Sequence, residues 1–540
     1  MFLSSCDPNS VVYDLIGLGF GPANVAVAGA LVERWDNHPS TTDCPIKKVL
    51  FLEKHDKFRW HPGMLLPDAR MQISFLKDLA TLRSPRSPIT FLSYLSSQNR
   101  LVSFINRGST IPTRKEYADY LSWAAQYVQD HGVEVGYGQE VVAVHDREDT
   151  TIDVHVRSVA SGEVKVFRTK NIVISPGGSP RIPDVVTPIY PHPMIIHSSA
   201  YATSVEKLLD QLSDVSRTRP LSIAVIGSGQ SAAEVTMDLR ERLSAIPSAA
   251  SAGHVDMIIR RGSLKPSDDS PFANEIFDPS ATGAWFSLPS KHARDEQLSE
   301  YKSTNYGVVN PRTLENLYEI IYDQRLNEGI AARTRCDCSH TQARINIRPY
   351  SSIISLESPE ATAAGSSCFK IVTQHNLTRA VSERHYDAIV CATGYQRSSW
   401  LSLLTTSNLG KRFGLDSSAP VCLTPDTGSR LAHHFDAFLR RTESDLASSA
   451  DTPGSSESTG NSTPLTSPEP LTPPLVAPEP AQPLYISRNY RLMPILAPTP
   501  GSLEPKVYVQ GVEEATHGLS DTLLSVLGVR AGEVVADLCA

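Results

Sequence analysis

Two stretches of the chain repeat one pattern: a short apolar run, a cluster of glycines, then an Ala/Val-rich segment with helical periodicity. In the first, Val11–Ile16 reads as a strand, Gly17-Leu18-Gly19-Phe20-Gly21-Pro22 as a turn, and a helix opens at Ala23. The second follows roughly two hundred residues later. There Leu221–Ile226 reads as the strand, Gly227-Ser228-Gly229-Gln230-Ser231-Ala232-Ala233 as the turn, and the helix runs through Arg240. Val49–Leu52, Val255–Ile259, Tyr386–Cys391 and Lys506–Gln510 are further short apolar runs that read as strands. Strands alternating with helices around glycine turns predict an α/β protein. The expected architecture is two Rossmann-like dinucleotide-binding domains with a smaller, mostly helical region.

Composition refines this division. With 540 residues the chain exceeds one ordinary core, so several packed domains are expected. Residues 442–483 are rich in Ser, Thr, Pro, Glu and Ala with no aromatic and no Lys or Arg; they read as a disordered insertion that cannot bury enough surface to order itself. The expected domains are a first dinucleotide domain over 10–210 and a second over 218–384 that includes a covering segment near 265–335. Segments 385–441 and 484–540 then return to the first domain.

The charge of -8 arises from 50 basic and 58 acidic residues, without the basic cluster a nucleic-acid partner requires. No apolar run reaches the ~18 residues of a membrane span, and Met1–Ser10 lacks the form of a signal peptide. Eight scattered cysteines suit free thiols in a reducing compartment, so a cytoplasmic protein is expected. Cys336 and Cys338 lack the partners of a zinc site, and no metal is expected.

A glycine turn that opens a helix lets backbone amides approach a pyrophosphate, aided by the positive end of the helix dipole. Pro22 stands where the usual fingerprint has Gly or Ala, and proline is tolerated at a first helical position. Glu53 follows the Val49–Leu52 strand, placed to accept hydrogen bonds from a ribose diol. In the second unit Arg260-Arg261 replaces that acid. A base there can pair with a 2'-phosphate, so this site is expected to prefer NADPH to NADH.

Longer strings follow: Arg59-Trp60-His61-Pro62-Gly63-Met64, Met71 through Thr81, Lys265 through Phe272 with Asn274-Glu275, Thr304-Asn305-Tyr306, Ala392-Thr393-Gly394-Tyr395 and His517-Gly518-Leu519-Ser520-Asp521. Across nearly the whole chain outside the insertion these resemble the fungal and bacterial L-ornithine N(5)-monooxygenases, the N-hydroxylases of siderophore biosynthesis. The resemblance implies FAD held by Gly17, Gly19, Gly21, Pro22, Glu53, His61, Gln72 and Leu519, with Met71 gating the flavin. It implies NADPH held by Gly227, Ser228, Gly229, Gln230, Ser231, Arg260 and Tyr306. Lys77, Asn274, Asn305 and Ser520 would bind the substrate, L-ornithine, which molecular oxygen then oxidises; a homo-oligomer, a tetramer by resemblance, is expected.

An ammonium such as Lys77 can pair with a carboxylate, and asparagine amides serve both donors and acceptors of a zwitterion without adding charge. The chemistry resides in the cofactor, so no residue is assigned as catalytic acid or base. Alternatives are a lysine N(6)-hydroxylase, a diamine hydroxylase, a disulfide reductase sharing the two-domain plan, or a non-catalytic nucleotide-binding scaffold. His197-Ser198-Ser199-Ala200-Tyr201 resembles part of a flavin monooxygenase signature, with His197 read as structural.

Overall fold

The computed structural model describes residues 11–37, 44–246, 253–334, 342–359, 368–415, 420–427, 481–495 and 504–540. Cys336, Cys338 and residues 442–480 of the expected insertion lie outside them.

Two five-stranded sheets organise the molecule. The first runs, edge to edge, Val507–Val509, Ile172–Ile174, Leu15–Leu18, Val49–Glu53 and Glu134–Tyr137, every neighbour parallel. The second runs Ile195–His197, Ala388–Cys391, Ser222–Ile226, His254–Ile258 and Arg344–Arg348, again all parallel. In each, the strand that feeds the glycine turn is central, and a 16-residue helix follows it: Pro22–Asn37 in the first, Gln230–Ala245 in the second. Such placement sets each turn at the carboxyl edge of its sheet, where open α/β sheets bind ligands. Among the described residues, no helix is long and apolar enough to cross a membrane.

The structure corrects several boundaries. The first strand is Leu15–Leu18, while Val12–Tyr13 pairs with Arg168–Thr169 in a separate four-stranded sheet. Asp14 causes the break: its carboxylate accepts the amides of Lys47 and Lys48, both at 3.0 Å, and the ammonium of Lys170 at 2.8 Å. Tyr386–Cys391 likewise divides at Asp387. Val381–Tyr386 pairs antiparallel with Phe369–His375, and Ala388–Cys391 enters the second parallel sheet. Asp387, buried, takes the guanidinium of Arg219 and the amide of Ser222.

The domain division moves accordingly. Ile195–His197 pairs in the second sheet, so the first domain ends before it and does not extend to 210. Ala388–Cys391 keeps the second domain going past 384, and the chain recrosses at Ser179–Pro180 paired with Tyr395–Gln396. The Gln482–Ile486 strand, parallel to Val421–Pro425, begins two residues before 484.

The covering segment is helical, with Pro271–Asn274, Glu275–Phe277, Ala281–Phe286 and Lys291–Asn305. Its small core of Phe277, Trp285 and Leu298 includes Leu519 from the C-terminal return, which ties the two domains' segments together. A second tie is electrostatic. Thr113 caps the Arg114–Asp130 helix by accepting the Glu116 amide, and Arg114 then makes a bidentate pair with Glu234, at 2.7 and 3.0 Å, on the second domain's nucleotide helix.

Candidate active site

The first turn is built from Gly19 to Pro22. Gly19 has φ +85, and a Cβ there would stand 2.7 Å from the Ser175 carbonyl, so glycine is required. Gly21 faces open space. Gly17, expected in the phosphate turn, is a strand residue whose missing side chain makes room for the Phe51 ring, 2.1 Å from where a Cβ would lie. Glu53 ends its strand with one carboxylate oxygen accepting the Phe20 amide at 3.0 Å and the other the His55 amide at 2.9 Å. Its side chain is 13 % exposed, leaving lone pairs at the mouth of the turn.

Buried Asn24 supports the turn from below, donating to the Gly19 and Leu18 carbonyls at 2.7 and 3.3 Å. Its own oxygen accepts from Ser175 and Gln510. The Gln510 side-chain amide oxygen, Oε1, is buried and has no hydrogen-bond partner, as expected of a group that a ligand beside the turn would satisfy. A helix N-terminus, an open glycine, a strand-end acid and an unpaired buried acceptor fit a dinucleotide such as FAD.

His61 stands in the left-handed region, φ 42 and ψ 48, with its Nδ1 3.4 Å from the Tyr395 hydroxyl. Desolvation within its crevice, with the charges of Arg114 and Arg397, holds its pKa below the ordinary 6.5. Gln72 is exposed, and Met71 is packed into the first core with its amide bonded to the Pro112 carbonyl. Met71, expected to gate the flavin, is buried in that core. His197 is buried with Nδ1 to Ser199 and Nε2 to the Gly394 carbonyl, the position of a structural histidine at the domain crossing.

In the second turn Gly227 has φ +141, and a Cβ would meet the Ala392 carbonyl at 2.3 Å. Gly229 is the N-cap of the Gln230–Ala245 helix. Gln230 departs from its expected part. Its amide nitrogen donates to Glu234 (2.7 Å) and Thr313 (3.0 Å), and its oxygen accepts the Asn310 amide (2.7 Å). The side chain clamps the 306–313 loop, so only its backbone amide is left for a cofactor. Ser228 and Ser231 are half-buried at the turn and helix start. Arg260 is exposed, and among the described residues its side chain has no hydrogen-bond or ion-pair partner. Arg261 reaches the Gly307 and Tyr306 carbonyls at 3.3 and 3.5 Å. Tyr306, expected at the NADPH site, gives its hydroxyl to Glu514. Glu514 also accepts from Thr522 at 2.6 Å and pairs with Arg397 at 3.3 Å.

Lys77 is half-buried, its Nζ 5.8 Å from the centre of the Phe277 ring. Desolvation lowers its pKa, against the opposing charge of Asp278. Next to it, buried Asp78 accepts the amides of Ala80, Thr81 and Phe91 and the Thr81 hydroxyl, which fixes the loop that presents Lys77. Leu519 shares the Phe277 cluster, so the structure brings Lys77 and Leu519 to Phe277, and Ser520, next in sequence to Leu519, is buried. Asn274 lies three residues before Phe277, exposed, its amide on the Asp269 carbonyl at 3.0 Å. Asn305 ends the helix that carries Leu298, its amide on the Thr304 hydroxyl at 2.8 Å.

Sequence reasoning missed a buried set behind this turn: Glu513, Asp521 and Arg530. Asp521 was visible as the last letter of the His517–Asp521 string, while Arg530, inside an apolar C-terminal helix, was the available signal.

The sequence model of the L-lysine 6-monooxygenase/L-ornithine 5-monooxygenase family matches residues 11–397. An L-ornithine N(5)-monooxygenase of Coprinopsis cinerea is 53% identical, with 98% of this chain and 98% of that protein covered. The ornithine hydroxylase of Pseudomonas aeruginosa has a solved structure that superposes with a TM-score of 0.70 at 32% identity, covering 98% of this chain and 99% of that one. The ornithine N-hydroxylase of Kutzneria sp. 744, solved with reduced FAD, NADP+ and L-ornithine, matches with a TM-score of 0.69 at 27% identity over 98% and 99% of the two chains. This chain belongs to the L-lysine 6-monooxygenase/L-ornithine 5-monooxygenase family.

Proposed function

We propose that the chain is an FAD- and NADPH-dependent monooxygenase that converts L-ornithine to N(5)-hydroxy-L-ornithine, the hydroxylamine from which hydroxamate siderophores are built. The observation that carries this reading is the meeting of Lys77 and Leu519 at Phe277 in a chain whose two parallel sheets each end in a glycine turn that opens a helix. Bound flavin, reduced by NADPH, supplies the activated oxygen.

The chain supplies position and dryness. Glu53 holds the adenosine ribose, and the turn from Gly19 to Pro22 seats the pyrophosphate against a helix N-terminus. Lys77 pairs with the ornithine carboxylate, while Asn274, Asn305 and Ser520 take the remaining polar groups of the amino acid. The apolar wall of Phe277, Trp285 and Leu519 disfavours a charged side-chain amine and so favours the neutral, nucleophilic form. Retained NADP+ adds a further screen against water.

Product formed per NADPH consumed, measured with ornithine, lysine and putrescine side by side, tests the reading. Ornithine is expected to give near-stoichiometric hydroxylamine. Lysine coupling as well as ornithine would move the assignment to the lysine branch of the family. NADPH oxidation without product for every amine would favour a non-catalytic role.

Lys77→Ala removes a charge-assisted contact worth ~1.5–3 kcal/mol, so the ornithine KM should rise roughly 10- to 100-fold while NADPH still reduces the flavin. An unchanged KM would reject the carboxylate assignment. Arg260→Ala should raise the NADPH KM about tenfold or more and leave NADH nearly unaffected. Arg261→Ala should discriminate less between the two, because Arg261 is already committed to the Gly307 and Tyr306 carbonyls.

The homo-oligomer expected by resemblance is supported by the 24-residue helix Pro311–Thr334. Tyr318, Tyr322, Leu326 and Ile330 form an exposed ridge at i, i+4 spacing along it. An antiparallel second copy centred between Tyr322 and Leu326 sets Glu315 of one chain opposite Arg333 of the other. Tyr322→Glu should therefore lower the mass measured by sedimentation equilibrium. A tetramer that persists would place the contact elsewhere.

A further inference from the structure

Cys44 and Cys539 lie 495 residues apart in sequence, yet their Sγ atoms stand 3.3 Å from each other. Cys44 is fully buried just before the Val49–Glu53 strand, and Cys539 is half-buried in the last turn of the Leu527–Cys539 helix. We propose that Cys44 and Cys539 are a paired oxidation site that closes to an intramolecular disulfide and staples the C-terminal helix to the first dinucleotide domain.

Geometry supports closure. A disulfide needs the sulfurs near ~2.05 Å, so they must approach by little more than an ångström. Cys539 lies in the last turn of its helix and is only partly buried, so the pair is open to a small oxidant from one side. The step needs a two-electron oxidant, here hydrogen peroxide, which a flavin enzyme releases when oxygen is reduced without being transferred. One thiolate attacks the peroxide, the O–O bond breaks and water leaves, giving a sulfenic acid; the second thiolate displaces its hydroxyl as a second water and forms the S–S bond. Two thiols are oxidised, one peroxide is reduced to two waters, and the balance closes. Burial and the neighbouring Cys44 push the Cys539 thiol up to about 12, so the reaction is slow and answers sustained exposure.

The helix being stapled is not peripheral to the site. A Cβ on Gly528 would lie 3.0 Å from the Leu79 carbonyl, so the helix backbone rests on the loop that presents Lys77. The same helix carries Arg530, which holds Asp521 behind the Leu519–Ser520 turn. Pinning its end restrains both, and because the loop closed is nearly the whole chain, the unfolded state loses much freedom.

The purified FAD-loaded protein, exposed to graded hydrogen peroxide, denatured, alkylated and digested, is expected to yield a Cys44 peptide joined to a Cys539 peptide, short of two hydrogens. The apparent Tm should rise by about 5 °C and return on adding dithiothreitol. Cys539→Ser should lose both the linked peptide and the Tm response while folding normally, and Cys44→Ser should behave likewise if it folds. Oxidation of Cys539 to sulfinic acid with Cys44 still alkylatable, or linkage of either residue to a different cysteine, would overturn the proposal. A staple would also hold if the amine substrate proved to be other than ornithine, since neither readout uses turnover.

Discussion

Arg530→Met is expected to destabilise the protein by about 3–5 kcal/mol in urea unfolding and to release FAD from what remains folded. The guanidinium is 1 % exposed and donates to the Asp521 carboxylate at 2.9 Å and to the Asp521 carbonyl. Burial alone would raise the Asp521 pKa, yet Arg530 and the Glu513 hydrogen bond hold it well below the usual carboxylate range. Glu513, fully buried and beside Asp521, is pushed well above the ordinary 4.5 by burial and then by its neighbour's charge. Arg530 and Asp521 pair their charges, and burial favours the neutral form of Glu513 beside them. Removing the arginine leaves Asp521 charged in a dry space or forces it to take a proton, and either outcome loosens the turn that carries Leu519 and Ser520. The double variant Arg530→Met, Asp521→Asn removes both charges together and should recover more than half of the loss. A single variant costing under about 1 kcal/mol would show that water reaches the set and that the pair is not the anchor.

Local signals carried the fold class and the two cradles. A glycine turn between a strand and a helix depends on residues adjacent in sequence, and both turns open a helix as expected, although the first begins at Gly19 and not at Gly17. Glu53 is legible for the same reason: it is the end of a strand already visible as an apolar run. What escaped depends on partners far along the chain. Asp14 ends one pairing and begins another only because Lys170 and the amides of Lys47 and Lys48 converge on it. Asp387 does the same with Arg219, and these two breaks account for the shifted strand ends and most of the misplaced domain boundary. Gln230 looked like a cofactor ligand by position, but its side chain is spent on Asn310 and Thr313, some eighty residues ahead. Cys44 and Cys539 occupy unremarkable sequence contexts and become a pair only when the terminal helix packs on the first domain. A strand-end arginine could be read as a phosphate ligand; which of Arg260 and Arg261 stays free required seeing that Arg261 is held by Gly307 and Tyr306.

The same buried corner should give the molecule its sensitivity to mild acid. His517 is 1 % exposed, stacked on Tyr490 with ring centres 4.3 Å apart and against Phe286 at 5.1 Å. Its Nε2 lies 3.2 Å from the Arg488 carbonyl, which can only accept, so Nε2 carries the proton and Nδ1 accepts from the Thr516 hydroxyl at 2.9 Å. A second ring proton would reverse that last bond, Nδ1 donating to the hydroxyl, which then gives its proton to the Glu513 carbonyl at 3.2 Å. Burial, outweighing the attraction of Asp521, holds the pKa at about 4 against 6.5 for an exposed imidazole. Since the folded value is the lower one, the unfolded chain binds the proton first. The stabilisation is therefore complete above about pH 7 and is lost progressively as pH falls from 6.5 towards 4. Linkage gives a loss of roughly 2.5 kcal/mol by pH 4.5 from this residue alone. Other buried groups titrate in the same range, so the informative quantity is the stability of the wild type minus that of His517→Gln, measured by urea unfolding at several pH values. The gap should shrink by about 2 kcal/mol or more between pH 7.5 and 4.5, and Tyr490 fluorescence and FAD release should follow the wild-type curve. A gap that stays constant with pH would mean that His517 is solvated in the folded protein, and the dry wall behind Leu519 and Ser520 would have to be redrawn.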